Sequence, residues 1–107
     1  NLTLIIDNNG LQLDGPLEQI NSPVPIGEKF RTFKFHVIEV ADGSDFDQLR
    51  VAFSEARTVK GHPTVIVAHT IKGKGVSFME GQVGWHGKAP NDEQFAQGMA
   101  ELEKEAE

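Results

Sequence analysis

Residues 36–68 read HVIEVADGSDFDQLRVAFSEARTVKGHPTVIVA, and this stretch decides the fold class. His36 to Val40 and Thr64 to Ala68 are short apolar runs rich in Val and Ile, residues that favour strands. Between them Phe46, Leu49, Ala52, Phe53 and Ala56 recur at three- and four-residue spacing, the period of an amphipathic helix. Ser44 or Asp45 supplies its N-cap, and Gly61-His62-Pro63 follows its end. Strand, helix, strand at this spacing is a parallel βαβ unit.

Upstream, Leu2 to Ile6 is a third apolar run, of the kind expected for a strand buried on both faces. Between it and His36, Pro23 and Pro25 forbid a long early helix, whereas Gly27 to Phe35 can form one. The fold class is therefore α/β, a parallel-sheet βαβαβ arrangement. Downstream, His69 to Pro90 is a Gly-rich stretch longer than the ~12–15 residues usual for a loop without periodicity, which points to a functional loop. A C-terminal helix closes the chain. Asn91 with Gln94 forms its capping box, and Phe95, Met99 and Leu102 form its apolar stripe.

A chain of 107 residues has the size of one domain. Its net charge of −6 argues against a nucleic-acid partner, since a phosphate backbone demands a basic face. Glu101, Glu103, Glu105 and Glu107 concentrate acidity at the end of the chain. No apolar run approaches the roughly 20 residues of a membrane helix, and no secretory signal opens the chain. With no cysteine, disulfide and thiol chemistry are excluded, which is compatible with a cytoplasmic protein. The chain begins at Asn1 and enters at once a strand that needs neighbours, so it reads as part of something longer.

Three segments hold candidate chemistry. Asp7 to Gly15 follows the first strand, and in open α/β sheets ligands bind outside the carboxyl ends of strands. Its side-chain amides and carbonyls are hard oxygen donors suited to Mg²⁺ or Ca²⁺. An Asn-Gly turn is the alternative reading; an EF-hand is excluded by Leu11 and Gln12. Thr70-Ile71-Lys72-Gly73-Lys74-Gly75 follows the third strand and combines flexible backbone with two point charges for a phosphate, although its spacing is not that of a P-loop. A solvated basic turn fits these residues equally well. Gly84-Trp85-His86-Gly87 places a titratable His on a loop. His36 opens a strand and reads as structural, His62 sits in a turn, and His36, His62 and His69 lack metal-ligand spacing.

Together these segments resemble the transketolases. Ile6-Asp7-Asn8-Asn9-Gly10-Leu11 is similar to the second half of the thiamine diphosphate motif, which begins Gly-Asp-Gly and ends Asn-Asn. Thr70 to Gly75 and Trp85-His86-Gly87-Lys88 resemble two later signatures of that family, and Phe35 to Val40 resembles its linking segment. The resemblance runs from Leu2 to about Pro90. It implies a thiamine-diphosphate-binding fold, here its C-terminal portion. The Gly-Asp-Gly aspartate and the cofactor-activating glutamate of another domain are not in this chain.

The resemblance further implies roles for five residues. Asn9 would bind the divalent ion through its side chain and Leu11 through its backbone carbonyl. Leu13 would lie against the cofactor, Lys72 near cofactor and substrate, and His86 at the diphosphate and reacting hydroxyls. The implied reaction moves a two-carbon ketol unit from a ketose phosphate to an aldose phosphate, through thiamine diphosphate and Mg²⁺ or Ca²⁺. The implied partner is a pyrimidine-binding transketolase half or subunit, in a dimer or heterotetramer, and this chain alone would be inactive. The alternatives are a thiamine-diphosphate enzyme of the deoxyxylulose-phosphate synthase type and a non-catalytic interaction module.

Overall fold

A computed structural model describes residues 2–105 of the chain, so Glu107 of the acidic cluster lies outside the described residues. The chain divides into two compact units, Asn1–Asn9 with Asn21–Thr70 and Gly10–Ile20 with Ile71–Glu107.

The first unit is a three-stranded parallel sheet with two helices. Strand β1 is Thr3–Asn8, β4 is His36–Val40 and β5 is Thr64–His69, in the order β1-β5-β4. Helix α2 (Ile26–Thr32) precedes β4, and α3 (Phe46–Thr58) joins β4 to β5. From β1 the chain steps across β5 to β4 and then returns one place. Two right-handed crossovers taken in opposite directions put α2 and α3 on opposite faces of the sheet.

Side-chain alternation then divides the residues. Ile38, Val40, Ile66 and Ala68 pack with Ala52 of α3, backed by Leu49 and Ala56. Gly27 of α2 lies over the other face, where a Cβ would stand 3.2 Å from Val37 and collide with the carboxylate of Glu39.

The expectation that β1 is buried on both faces is not met within this chain. Central β5 is buried from Thr64 to Ala68, whereas β1 alternates and Ile5 is 58% exposed. A strand acquires two covered faces from what packs on them, and only the middle strand has both here. Asp45 proves to be the cap of α3, its carboxylate accepting from the amides of Asp47 at 2.8 Å and Gln48 at 3.2 Å. His36 is structural: its Nε2 meets Glu55 Oε1 at 2.6 Å, tying β4 to α3. Helix α2 ends where Phe33 and the left-handed Lys34 (φ 65°) break the spiral, short of Phe35.

The second unit contains a two-residue-per-strand hairpin, β2 (Leu11–Gln12) with β3 (Gly15–Pro16), followed by the short helix α1 (Leu17–Ile20). It also contains the loop after residue 70, a 3₁₀ turn at Val83–Trp85 and the final helix α4 (Asp92–Glu105). The capping box on α4 is reciprocal: Gln94 N–H donates to Asn91 Oδ1 at 2.8 Å, and Asn91 N–H donates to Gln94 Oε1 at 3.1 Å. Among the described residues no helix is long and apolar enough to cross a membrane.

Candidate functional site

Parallel pairing fixes where the candidate loops begin. Asn8 stands opposite His69, and the Thr70 amide donates to the Asn8 carbonyl at 3.2 Å. The chain therefore leaves β1 and β5 at the same edge of the sheet, the carboxyl edge where α/β proteins bind ligands. Successive side chains of a strand point to opposite faces, and both faces of this corner are pinned. On one, the Thr70 hydroxyl donates to the Asp7 carboxylate. On the other, Asn8 Nδ2 lies 3.3 Å from His69 Nδ1, and His69 Nε2 lies 3.1 Å from Glu39 Oε2. A carboxylate only accepts, so Nε2 carries the proton and neutral Nδ1 accepts from the Asn8 amide.

Two backbone features complete the edge. The Gly43 N–H donates to the His69 carbonyl at 2.7 Å, and a Cβ on Gly43 would press to 2.6 Å from Thr70 Cγ2. Asn8, Glu39 and His69, with Arg31 and Val67, also line a cavity of about 560 Å³ between α2 and the sheet.

After Asn9 the chain turns at Gly10, whose φ of 72° is in the left-handed region. Apart from its two chain neighbours, no described residue comes within 4 Å of where a Cβ would stand. Asn9 is half-buried, Leu11 is half-buried in β2, and Leu13 is 61% exposed. Asn and backbone carbonyl oxygens are hard donors that fit Mg²⁺ or Ca²⁺ and would contribute part of a six-oxygen shell. Among the described residues, no group of three or more His, Cys, Asp or Glu could hold a metal ion.

In the second unit the Gly-rich loop is tightly hydrogen-bonded. The Gly81 N–H donates to the Lys72 carbonyl at 2.9 Å and the Gly75 N–H to Glu80 Oε1 at 3.0 Å. Gly73 is left-handed at φ 74°, and a Cβ there would stand 2.7 Å from the Met79 carbonyl oxygen. Trp85 Nε1 donates to the Phe78 carbonyl at 2.9 Å, with the two rings 5.3 Å apart and Lys88 Nζ 4.6 Å from the indole centroid. His86 caps the 3₁₀ turn through its backbone, its N–H donating to Val83 O at 3.0 Å, and is exposed. Glu101 of α4 accepts from the Ser77 amide at 2.6 Å, the Ser77 hydroxyl at 2.7 Å and Gln97 Nε2 at 2.7 Å. These bonds, that from Gln97 first, hold its carboxyl below the usual range.

Of the residues singled out by sequence, Lys72, His86, Leu11 and Leu13 belong to the second unit and Asn9 to the first. Sequence reasoning missed the His69–Glu39 pair because it looked for metal-ligand spacing. Strand alternation carried the signal: Glu39 pairs with Val67, and His69 lies two residues further along the same face of β5.

Comparisons with known proteins agree with this architecture. The family described as "Transketolase, thiamine diphosphate binding domain" matches residues 1–105. The chain is 38% identical over 104 residues to a 6-deoxy-6-sulfo-D-fructose transketolase subunit of Clostridium sp. (strain MSTE9), covering 97% of this chain and 38% of that protein. It is 33% identical over 107 residues to an apulose-4-phosphate transketolase subunit of Phocaeicola vulgatus, covering all of this chain and 38% of that one. Thus the chain spans 38% of the length of these relatives.

Among solved structures, transketolase from Leishmania mexicana superposes with a TM-score of 0.73 at 28% identity, over 96% of this chain and 18% of that one. The transketolase of Campylobacter jejuni gives 0.85 at 24% identity, over 96% and 16%, a likeness of fold. With motifs, topology and family match in agreement, the chain belongs to the transketolase family, as part of its thiamine-diphosphate-binding domain.

Proposed function

We propose that this chain contributes part of the cofactor site of a transketolase that moves a two-carbon ketol unit between sugar phosphates. The observation that carries the reading is the pairing of Asn8 with His69, which starts both motif loops from one edge of the sheet. In this reading the Asn9 side chain and the Leu11 carbonyl hold Mg²⁺ or Ca²⁺, which neutralises the diphosphate. Leu13 offers an apolar surface to the cofactor. When bound, thiamine diphosphate supplies the electron sink for breaking and making the carbon–carbon bond. Lys72 supplies positive charge near cofactor and substrate. The exposed imidazole of His86 hydrogen-bonds to the diphosphate and exchanges protons with substrate hydroxyls.

The cofactor-activating glutamate lies on a pyrimidine-binding partner or half, in a dimer or heterotetramer, and the chain alone is inactive. The names of its relatives, which are subunits for 6-deoxy-6-sulfo-D-fructose and apulose-4-phosphate, support a separate partner polypeptide. They also support a ketose donor bearing a terminal anion, phosphate or sulfonate. The protein works in the cytoplasm in this reading.

The test uses the complete enzyme with its partner. His86→Ala is expected to slow turnover by roughly 10²–10⁴-fold at saturating cofactor. Its thermal midpoint should hardly move, because an exposed loop side chain contributes about 0.5 kcal/mol or less. Asn9→Ala raises the metal concentration needed for cofactor binding, and Leu11→Ala does so less, since its carbonyl survives. Unchanged turnover in His86→Ala together with unchanged metal dependence in Asn9→Ala would refute the reading.

A further inference from the structure

We propose that His69, held by Glu39, is a positioning residue that fixes the end of β1 from which Asn9 reaches the divalent ion. The inference rests on the cofactor-site reading above and adds residues that the reading does not use. Asn9 is the first residue after β1, so its direction depends on how firmly Asp7 and Asn8 are held. Backbone pairing fixes their position across the sheet but leaves the last residue of a strand free to fray. Two side-chain bonds oppose that fraying from opposite faces, Thr70 to Asp7 and Asn8 to His69.

The second bond depends on a chain of three side chains. Asn8 donates to His69 Nδ1, which accepts only in the tautomer that protonates Nε2. Glu39 selects that tautomer by accepting from Nε2 at 3.1 Å. Gly27 makes room for this acceptor, because a Cβ there would collide with the Glu39 carboxylate. One residue from each of three neighbouring strands thus forms a line across the carboxyl edge, β1 to β5 to β4. Groups that orient a metal ligand without touching the metal typically contribute 10–100-fold to metal affinity.

Two amide variants separate this role from mere packing. In His69→Asn the amide oxygen takes the place of Nδ1 and still accepts from Asn8, while the contact with Glu39 is lost. In His69→Gln the longer amide reaches Glu39 but leaves no acceptor beside Asn8. Mg²⁺ is titrated into the complete enzyme with thiamine diphosphate, with binding followed by calorimetry and the metal-free thermal midpoint recorded alongside. His69→Gln is expected to raise the half-saturating Mg²⁺ concentration about 10-fold, at the lower end of such orienting effects. His69→Asn should stay within about 3-fold of the unmodified enzyme, with a metal-free midpoint similar to that of His69→Gln.

Glu39→Leu leaves the imidazole in place but unheld, and decides the matter if His69→Gln does not fold. It too should raise the Mg²⁺ requirement. Equal weakening by the Asn and Gln variants, or normal affinity in His69→Gln and Glu39→Leu while Asn9→Ala binds metal poorly, overturns the positioning role and leaves the site standing. Normal metal affinity in Asn9→Ala overturns the site reading and this inference with it.

Discussion

The sheet unit and the loop unit are held together by different forces. In the first, Val65, Ile66 and Val67 of β5 have essentially no exposed surface, and α3 closes one face with Ala52. Burial is non-directional and grows with the apolar area removed from water, so such a unit tolerates polar changes at its rim. In the second, Val76 is the buried side chain of the described loop and α4, while Phe95, Met99 and Leu102 stand exposed. Its order comes from directed bonds: Gly75 to Glu80, Trp85 to the Phe78 carbonyl, and Ser77 and Gln97 to Glu101. Each unit should therefore fail under a different insult. One is vulnerable to cavities, the other to changes of backbone or charge.

The largest effect expected is in the sheet. Ile66→Ala removes a side chain with 0% exposure from the strand that both neighbours pair with. A cavity there should destabilise the complete protein by about 2–5 kcal/mol, read from denaturant unfolding. If the units fail separately, amide protection in the loop after residue 70 should fall far less than protection in β1, β4 and β5. An equal fall in both would show one cooperative unit.

The second expected effect is in the loop. Gly73 occupies left-handed space and its missing Cβ leaves room for the Met79 carbonyl. Gly73→Ala should cost about 1–3 kcal/mol of local stability through strain and that contact. Limited proteolysis should then cut within the loop while the thermal midpoint of the sheet stays near its original value. Resistance equal to that of the unmodified protein would mean the loop has another conformation that admits a side chain.

The same division explains what was legible in the sequence. Burial writes itself as periodicity, so β4, α3 and β5 were readable from the spacing of their apolar residues, and the cap of α3 was narrowed to Ser44 or Asp45. Strand order was not readable, because spacing does not say that β5 enters between β1 and β4. The exposure of Ile5 was unreadable for the same reason. A run of apolar residues states what could be covered, not what covers it. In the loop, glycine spacing announced turns and the resemblance assigned Lys72 and His86. The bonds from the Gly75 and Ser77 amides to Glu80 and Glu101 join residues 5 and 24 positions apart, and no period reports them. His69 fell between the two cases: alternation placed it, but its partner on β4 appears only once the register is known.

The smallest effect expected is pH-dependent and compares the two units directly. Each contains a carboxylate held below its ordinary pKa, Asp45 by Gln48 and Glu101 by Gln97 and Ser77. A carboxyl whose folded pKa is depressed stabilises above its unfolded value, about 4.3 for Glu, and that stabilisation is lost as pH falls through the folded value. Both should therefore matter only on the acid side, and salt should weaken both because they are exposed. Their consequences differ. Protonating Asp45 frays the first turn of a helix that Leu49, Ala52 and Ala56 still anchor to the sheet. Protonating Glu101 releases Ser77 from α4 in a unit with little buried surface to hold it. Protection of the Ser77 amide should thus drop as pH falls below the ordinary glutamate range, about 4.3, while amides of α3 beyond its first turn keep theirs. In Glu101→Gln the acid drop should disappear and protection at neutral pH should be lower, since one amide oxygen replaces two acceptors. Persistence of the drop in that variant would assign it to another carboxylate, with Glu80 on Gly75 the next to test.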